Sequence, residues 1–385
     1  MENRSFRLPR HFELITSAEG GHRLVSLTSS LRVRSSEQDD LLARILPLLA
    51  EGASLDTLLS VSGDGDGGRV LGILDELRSR DLLEEMSAEA TGDAEPYAEQ
   101  ERFFANFLPL GAEPPGLDAN GAAAPAQRKL AEARVLVTGL GRTGSRLVRS
   151  LAHVGIGSIW GADPGVVTDM DLQDGGYDRA ARGKVREQAL GRVVEGFDHR
   201  VSYNPLETAG IGDPLGWRLP EGLNLLIVCD EGFDPERYDG INRLCLQHDL
   251  SWISYRSLGA RYEIGPTIVP RQTACFHCLE LRRIANSDSY ETHRDAWRAL
   301  AMRSVGLGSL NVTFGADLLA LEAIKILTGF SRPVTYGSLF TLDLLTFEAT
   351  VHPVLKIPRC PQCSPAATQR PALIIWPPGD GFEDS

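Results

Sequence analysis

Between Arg134 and Asp163 the chain reads RVLVTGLGRTGSRLVRSLAHVGIGSIWGAD. An apolar strand runs into a glycine turn, the turn opens an amphipathic helix, and a second strand closes on an aspartate. Parallel strands joined through a helix are buried on both faces, so this stretch commits the chain to an α/β sheet covered by helices. The glycines are Gly139-x-Gly141-x-x-Gly144. The first permits the tight turn, the second lets backbone approach a phosphate, and the third lets the helix pack on the strand. Asp163, at the end of the second strand, is placed to accept hydrogen bonds from a ribose. The same glycines can keep the turn of the fold with no nucleotide bound, because fold and function separate easily.

Further strands and helices alternate after this unit. NLLIVCD and LSWISYRSLG read as buried strands with RYDGINRLCLQHD as the helix between them, which extends the pattern to a doubly wound, mostly parallel sheet. Residues 1–87 read differently. FELIT, HRLVSLT and LRVRS are short β-type runs. SEQDDLLARILPLLAEG follows as a helix with Ser36 as its cap and Leu41, Leu42, Ile45, Leu48 and Leu49 on one face. ASLDTLLSVS and GGRVLGILDELRSRDLLEE are second and third helices, the last with Val70, Leu71, Leu74 and Leu77 at helical spacing. Three strands and three helices make a winged-helix-like arrangement. Residues 88–130 form a linker rich in Ala, Glu, Pro and Gly, within which EQERFFANFLPL is apolar enough for a docked helix. Residues 131–366 are the main domain and 367–385 a Pro/Gly-rich tail with an acidic end.

Cys275-Phe-His-Cys278 and Cys360-Pro-Gln-Cys363 carry the sharpest chemical signal. Two CxxC knuckles bring four thiolates to a tetrahedron, which suits Zn²⁺, closes its coordination shell and makes the metal structural. A zinc deaminase would need HxE followed by PCxxC; the one HxE, at 11–13, lies far from CPQC, and no proline precedes Cys360. Cys229 and Cys245 fall in apolar elements and read as core. Six cysteines in 385 residues suit a reducing compartment. A net charge of −13 argues against nucleic acid and anionic membrane surfaces as partners. The N-terminal stretch has no apolar signal region, and NVTFGADLLALEAIKILTG carries Asp317, Glu322 and Lys325, so it reads as a buried helix stopped by Gly329. The expected location is cytoplasmic.

Taken together, VLVTGLGRTGSRLVRSLAHVGIGSIWGAD, RGKVR, VCDEGFDPERYDGINRLC, the two CxxC pairs and GADLLALEAIKILTG resemble the ThiF/MoeB-like adenylating fold of the ubiquitin-activating-enzyme superfamily, over residues 131–366. GPTIVPRQTACFHCLELR and LDLLTFEATVHPVLKIPRCPQC look like its leader-peptide-binding members, which partner YcaO-type cyclodehydratases in thiazole/oxazole-modified peptide and thiopeptide pathways. The resemblance implies a winged-helix-like peptide-recognition domain followed by a Rossmann-like ThiF domain with a four-cysteine zinc site. It implies a precursor leader peptide and a separate cyclodehydratase as partners, and pairing of two copies. It places the leader against the strand edge Leu31, Arg32, Val33 and Arg34 and the helix bearing Arg69, Ile73 and Glu76, where the arginines favour an acidic peptide. From the residues alone, an edge strand guarded by arginines against aggregation is the preferred account.

In active adenylating relatives the ribose-binding Asp is followed by a loop reading roughly S-N-L-x-R-Q. Aligned on Leu172 in DMDLQDGG, the Asn position holds Asp171, the Arg position Asp174 and the Gln position Gly175. An anion replacing a cation at about 4 Å turns attraction for phosphate into repulsion of several kcal/mol, even at an effective dielectric of about 20. The family's G-K-x-K is Gly183-Lys184-Val185-Arg186, its second turn glycine is Arg142, and Asp230 or Asp234 stands for the Mg²⁺ ligand. Gly139, Gly141, Gly144, Asp163, Lys184, Arg186 and Asp230 are therefore a vestigial nucleotide site, with ATP and Mg²⁺ expected on the partner enzyme. The three aspartates of DMDLQDGG are individually expected to be solvated. The alternatives are an ATP-dependent adenylating enzyme acting on a peptide carboxylate, and an NAD-dependent oxidoreductase suggested by the glycines alone.

Overall fold

The computed structural model describes residues 4–16, 22–27, 30–33, 41–61, 67–80, 82–86, 97–107, 126–173, 176–196, 200–206, 208, 213–229, 233–286 and 309–364. Its contacts divide the chain into one unit of Met1–Lys129 with Thr328–Ser331, and a second of Leu130–Leu327 with Arg332–Ser385.

In the first unit the three expected strands are β2 (Glu13–Thr16), β3 (His22–Val25) and β4 (Ser30–Val33), an antiparallel sheet in the order β2-β3-β4. The three expected helices are α1 (Leu41–Glu51), α2 (Leu55–Ser60) and α3 (Gly67–Ser79). A second sheet, ordered β5-β1-β6, was not legible in the sequence: β1 (Ser5–Arg7), β5 (Ala53–Ser54) and β6 (Glu84–Met86) have two or three residues each, too few to show a period of two. Ile45, Leu46, Leu49, Leu58, Val70, Leu74 and Leu77 are buried together with Phe6, Leu8 and Leu24. Two details differ from expectation. Leu46 joins the buried face of α1, and Leu71 of α3 is 47% exposed. Ser36, the expected cap of α1, lies outside the described residues. The expected docked helix in the linker is α4 (Ala98–Phe107), whose Phe103, Phe104 and Phe107 meet the Phe330 ring with centroids 5.2–6.1 Å apart.

The second unit is built on an eight-stranded sheet ordered β14-β13-β12-β11-β10-β7-β8-β9. α5 (Ala126–Glu132) leads into β7 (Arg134–Thr138), α6 (Arg142–His153) and β8 (Ser158–Ala162). Then come α7 (Asp169–Gln173), α8 (Arg186–Glu195), β9 (Ser202–Pro205), β10 (Leu225–Val228), α9 (Pro235–Gln247) and β11 (Ser251–Leu258). β12 (Arg261–Ile264), α10 (Phe276–Ala285), α11 (Ser309–Thr328), β13 (Ser338–Asp343) and β14 (Ala349–Pro353) complete the order. β9, β8, β7, β10 and β11 are mutually parallel, while β12, β13 and β14 add antiparallel hairpins on the far side. Val135, Leu136, Val137 and all of Leu225–Val228 are fully buried, as continuous apolar runs in a two-sided parallel sheet must be. β7 lies between β8 and β10, so the chain reverses its direction of winding there, and the carboxyl ends of these strands form the crevice where ligands of such folds bind. α11 is stopped by Gly329 at φ +72°. No helix of the described residues is long and apolar enough to cross a membrane.

Candidate nucleotide crevice and metal centre

The glycine turn has the geometry its spacing demands. Gly139 adopts φ +78°, and a Cβ on Gly144 would lie 1.9 Å from the Gly139 carbonyl oxygen, so the start of α6 closes directly onto the end of β7. Asp163 emerges from β8 beside this turn. Its Oδ2 accepts from the Leu140 amide at 2.8 Å and its Oδ1 from the Gly165 amide at 2.8 Å. Its own amide donates to Glu187 Oε2 at 2.9 Å. Tyr177 donates to the Leu140 carbonyl at 2.6 Å, and burial, followed by the nearby Tyr203 and Asp163, raises its phenol far above the ordinary value. Tyr177 therefore serves as a neutral brace for the turn.

The described start of the DMDLQDGG stretch is not a loop. Asp169–Gln173 is helical, and Asp171 is 1% exposed. Its Oδ2 accepts from Thr168 N at 2.7 Å and from Thr168 Oγ1 at 2.9 Å, the pattern of a side chain capping its own turn. Both its oxygens also accept from Arg186 Nη2, at 3.1 and 3.0 Å, while Arg186 Nη1 donates to Asp163 Oδ2 at 3.2 Å. The expectation of solvation fails for Asp171 because a partner fifteen residues away supplies the charge that burial requires. Asp169 is exposed, as expected, and pairs with Arg182. Asp174 and Gly175 lie outside the described residues. So does Asp230; Cys229 before it is buried and donates its amide to the Thr138 carbonyl. Asp234, the other candidate for a magnesium ligand, caps α9 by accepting from the Glu236 amide at 3.1 Å. Lys184 is exposed on the turn before α8. Gly139, Gly141, Gly144, Asp163 and Arg186 thus converge, with Arg186 spent on two carboxylates.

The four predicted cysteines come together. The Sγ atoms of Cys275, Cys278, Cys360 and Cys363 all lie within 4.8 Å of one another, with Cys275–Cys278 at 3.9 Å, Cys275–Cys360 at 3.7 Å and Cys278–Cys363 at 3.6 Å. Four thiolates about 2.3 Å from one zinc ion stand about 3.8 Å apart, so the cluster fits such a metal. These separations are far beyond the roughly 2.05 Å of a disulfide. The Ile357 amide points at Cys278 Sγ from 3.4 Å, a donor that suits a thiolate. Fully buried Asn242 on α9 joins the two knuckles: its Oδ1 accepts from the Phe276 amide at 3.0 Å and its Nδ2 donates to Gln362 Oε1 at 2.5 Å. Nothing in the spacing of Asn242 pointed to it. Cys229 and Cys245 are buried core, and burial raises the Cys245 thiol well above its ordinary value, as an inert cysteine requires.

In the first unit Leu31, Arg32 and Val33 lie on β4, an outer strand of its sheet, as β2 is on the other side, and Arg34 falls outside the described residues. Arg69, Ile73 and Glu76 lie on α3. Leu31, Val33 and Ile73 are partly buried against one core, Arg69 is exposed, and Glu76 is engaged by Arg80 one turn on, at 2.7 Å.

The profile of the ThiF family matches residues 117–364. The chain belongs to the ThiF family. Among curated ThiF-like relatives, Protein HesA of Leptolyngbya boryana is 27% identical over 261 residues, covering 66% of this chain and 84% of that protein. The molybdopterin-synthase adenylyltransferase of Salmonella typhimurium is 22% identical over 238 residues, covering 62% and 89%. Among solved structures, E. coli MccB matches with TM-score 0.65 at 16% identity, over 94% of this chain and 97% of that one. The complex of E. coli MccB with AMPCPP and MccA matches with TM-score 0.64 at 16% identity, over 94% and 100%. At that identity the likeness is one of fold, and it extends beyond the ThiF core to nearly the whole chain.

Proposed function

We propose that this ThiF-family protein is a peptide-binding scaffold of ribosomal-peptide modification whose own adenylation activity has been lost. The observation that carries the second half is the Arg186 guanidinium held between Asp163 and Asp171. A cation that in the crevice would face phosphate is neutralised within the chain, and removing it would strand a buried carboxylate at about 3–5 kcal/mol. The first half draws on β4 as one of the two edge strands of a three-stranded sheet with an arginine-bearing helix in the same unit. An extended leader peptide can add to such an edge as a further strand. On this reading residues 1–87 recognise the leader, 88–130 link, 131–366 form the ThiF domain, and 367–385 are a tail. A separate YcaO-type cyclodehydratase, using ATP, forms azolines from Cys, Ser or Thr of the core peptide. The chain is its non-catalytic subunit, works in the cytoplasm and pairs with a second copy. The four cysteines hold a structural zinc that pins the C-terminal knuckle.

The test is a titration of the full chain with labelled leader peptides from short Cys/Ser/Thr-rich precursors encoded beside its gene, with and without a neighbouring YcaO-type enzyme. Saturable binding, and azoline formation that needs both proteins, are expected. No binding of any such leader would sink the scaffold. A second reading has one observation behind it: the fold likeness covers all of MccB, including its complex with AMPCPP and MccA. On that reading the chain adenylates a peptide carboxylate, and robust ATP–pyrophosphate exchange abolished by Asp163→Ala would establish it.

A further inference from the structure

Resting on the reading that this chain no longer uses a nucleotide, we propose that Asp171 sets the ligand preference of the crevice. By drawing Arg186 into a buried two-carboxylate clamp, it closes the site to nucleoside triphosphates.

The clamp is fixed from both sides. Arg186 begins α8, with its amide donating to the Gly165 carbonyl at 2.8 Å, so the base of its side chain is anchored next to Asp163. Nη2 faces both oxygens of Asp171 and Nη1 faces Asp163. Asp171 cannot swing away, because the Thr168 amide and hydroxyl hold its Oδ2 and the residue is 1% exposed. The paired side chains of Arg186 and Asp163 are only 18% and 13% exposed. Two carboxylates against one guanidinium leave a net negative charge where water does little to screen it. Lys184, the other cation of the GKVR stretch, is exposed, and solvent damps its pull. A triphosphate approaching the Gly139–Gly144 turn therefore meets repulsion and a guanidinium fork already occupied.

Asparagine at position 171 keeps the side-chain volume and an oxygen for both Thr168 donors, yet drops the charge. The group around Arg186 then becomes neutral, and the guanidinium loses the carboxylate that held its Nη2 and can turn toward phosphate. Asp169 offers a control for charge alone. It lies on the same short helix, but it is exposed and pairs with Arg182, 2.5 Å away.

The experiment is a calorimetric titration of the full chain with Mg-ATP, comparing wild type with Asp171→Asn, Asp169→Asn and Asp171→Asn/Arg186→Gln. Wild type and Asp169→Asn are expected to show no saturable binding. Asp171→Asn should show saturable ATP binding, at least about tenfold tighter than the weakest binding the titration resolves, and the added Arg186→Gln should abolish it. Should Asp171→Asn not fold, Thr168→Ala removes one of the two anchors of the carboxylate and should move affinity the same way by a smaller factor. A folded Asp171→Asn or Thr168→Ala no tighter than wild type, or an equal gain in Asp169→Asn, overturns the role of Asp171 while the scaffold reading stands. Saturable ATP binding by wild type would overturn the clamp and, with pyrophosphate exchange, the loss of nucleotide use as well.

Discussion

At the scale of single residues the chain separates positions that backbone geometry dictates from positions that a distant partner dictates. Gly144 belongs to the first kind. A methyl group there would sit 1.9 Å from the Gly139 carbonyl oxygen, a backbone atom that cannot rotate away, and 3.4 Å from Cys229 Cβ. Gly144→Ala is expected to destabilise the second unit by about 3 kcal/mol through forced separation of α6 from β7. A lower urea midpoint at unchanged slope would record it. Asp171 belongs to the second kind: its spacing announced a solvated acid, and only Arg186 makes it a buried one. His153 at the end of α6 is a third case. Partial desolvation of this largely exposed side chain, then Arg149 and Arg146 nearby, lower its imidazole below the ordinary 6.5. The unfolded chain thus takes up a proton that the folded chain resists. Stability from this residue is complete above pH 6.5 and falls as the pH drops below it. His153→Gln should flatten that acid-side decline in thermal melts, and an unchanged pH profile would show that the histidine does not contribute.

At the scale of elements, the apolar runs of the central parallel strands and the helices between them are readable, and the shortest strands are not. β7, α6, β8, β10, α9 and β11 all appear where the apolar runs and glycines placed them. β1, β5 and β6 left no trace because two or three residues cannot show alternation, and α7 escaped because its five residues are too few to show an apolar stripe. The same limit applies to the metal centre. CxxC spacing marks each knuckle, but the element that joins them, α9, contributes Asn242 through a side chain that is also common in turns. Asn242→Ala would leave the buried Phe276 amide without its acceptor, at about 1–3 kcal/mol. The full chain should carry one equivalent of zinc by mass spectrometry under native conditions. Asn242→Ala should release it to a chelator several-fold faster, and equal release rates would remove α9 from any role in holding the knuckles.

At the scale of the whole molecule the net charge of −13 has to be reconciled with a proposed acidic ligand. Attraction must then be local to Arg32, Arg34 and Arg69, and local ion pairs at a surface weaken as salt screens them. Leader affinity should fall between low and high sodium chloride, chiefly through a slower association rate. Salt-independent binding would mean that apolar pockets beside Leu31, Val33 and Ile73 carry the recognition. What the sequence determined by itself was a mostly parallel α/β sheet in the second unit, the glycine turn and the four cysteines. All of these are written in short-range spacing, which local sterics and strand or helix period translate directly. What only the tertiary structure decided was the state of the crevice. Asp163 and Arg186 each suit a nucleotide site, and Asp171, fifteen residues before Arg186, reads alone as a solvated acid. Brought within about hydrogen-bond reach, they satisfy one another, because a buried carboxylate takes the nearest fixed cation.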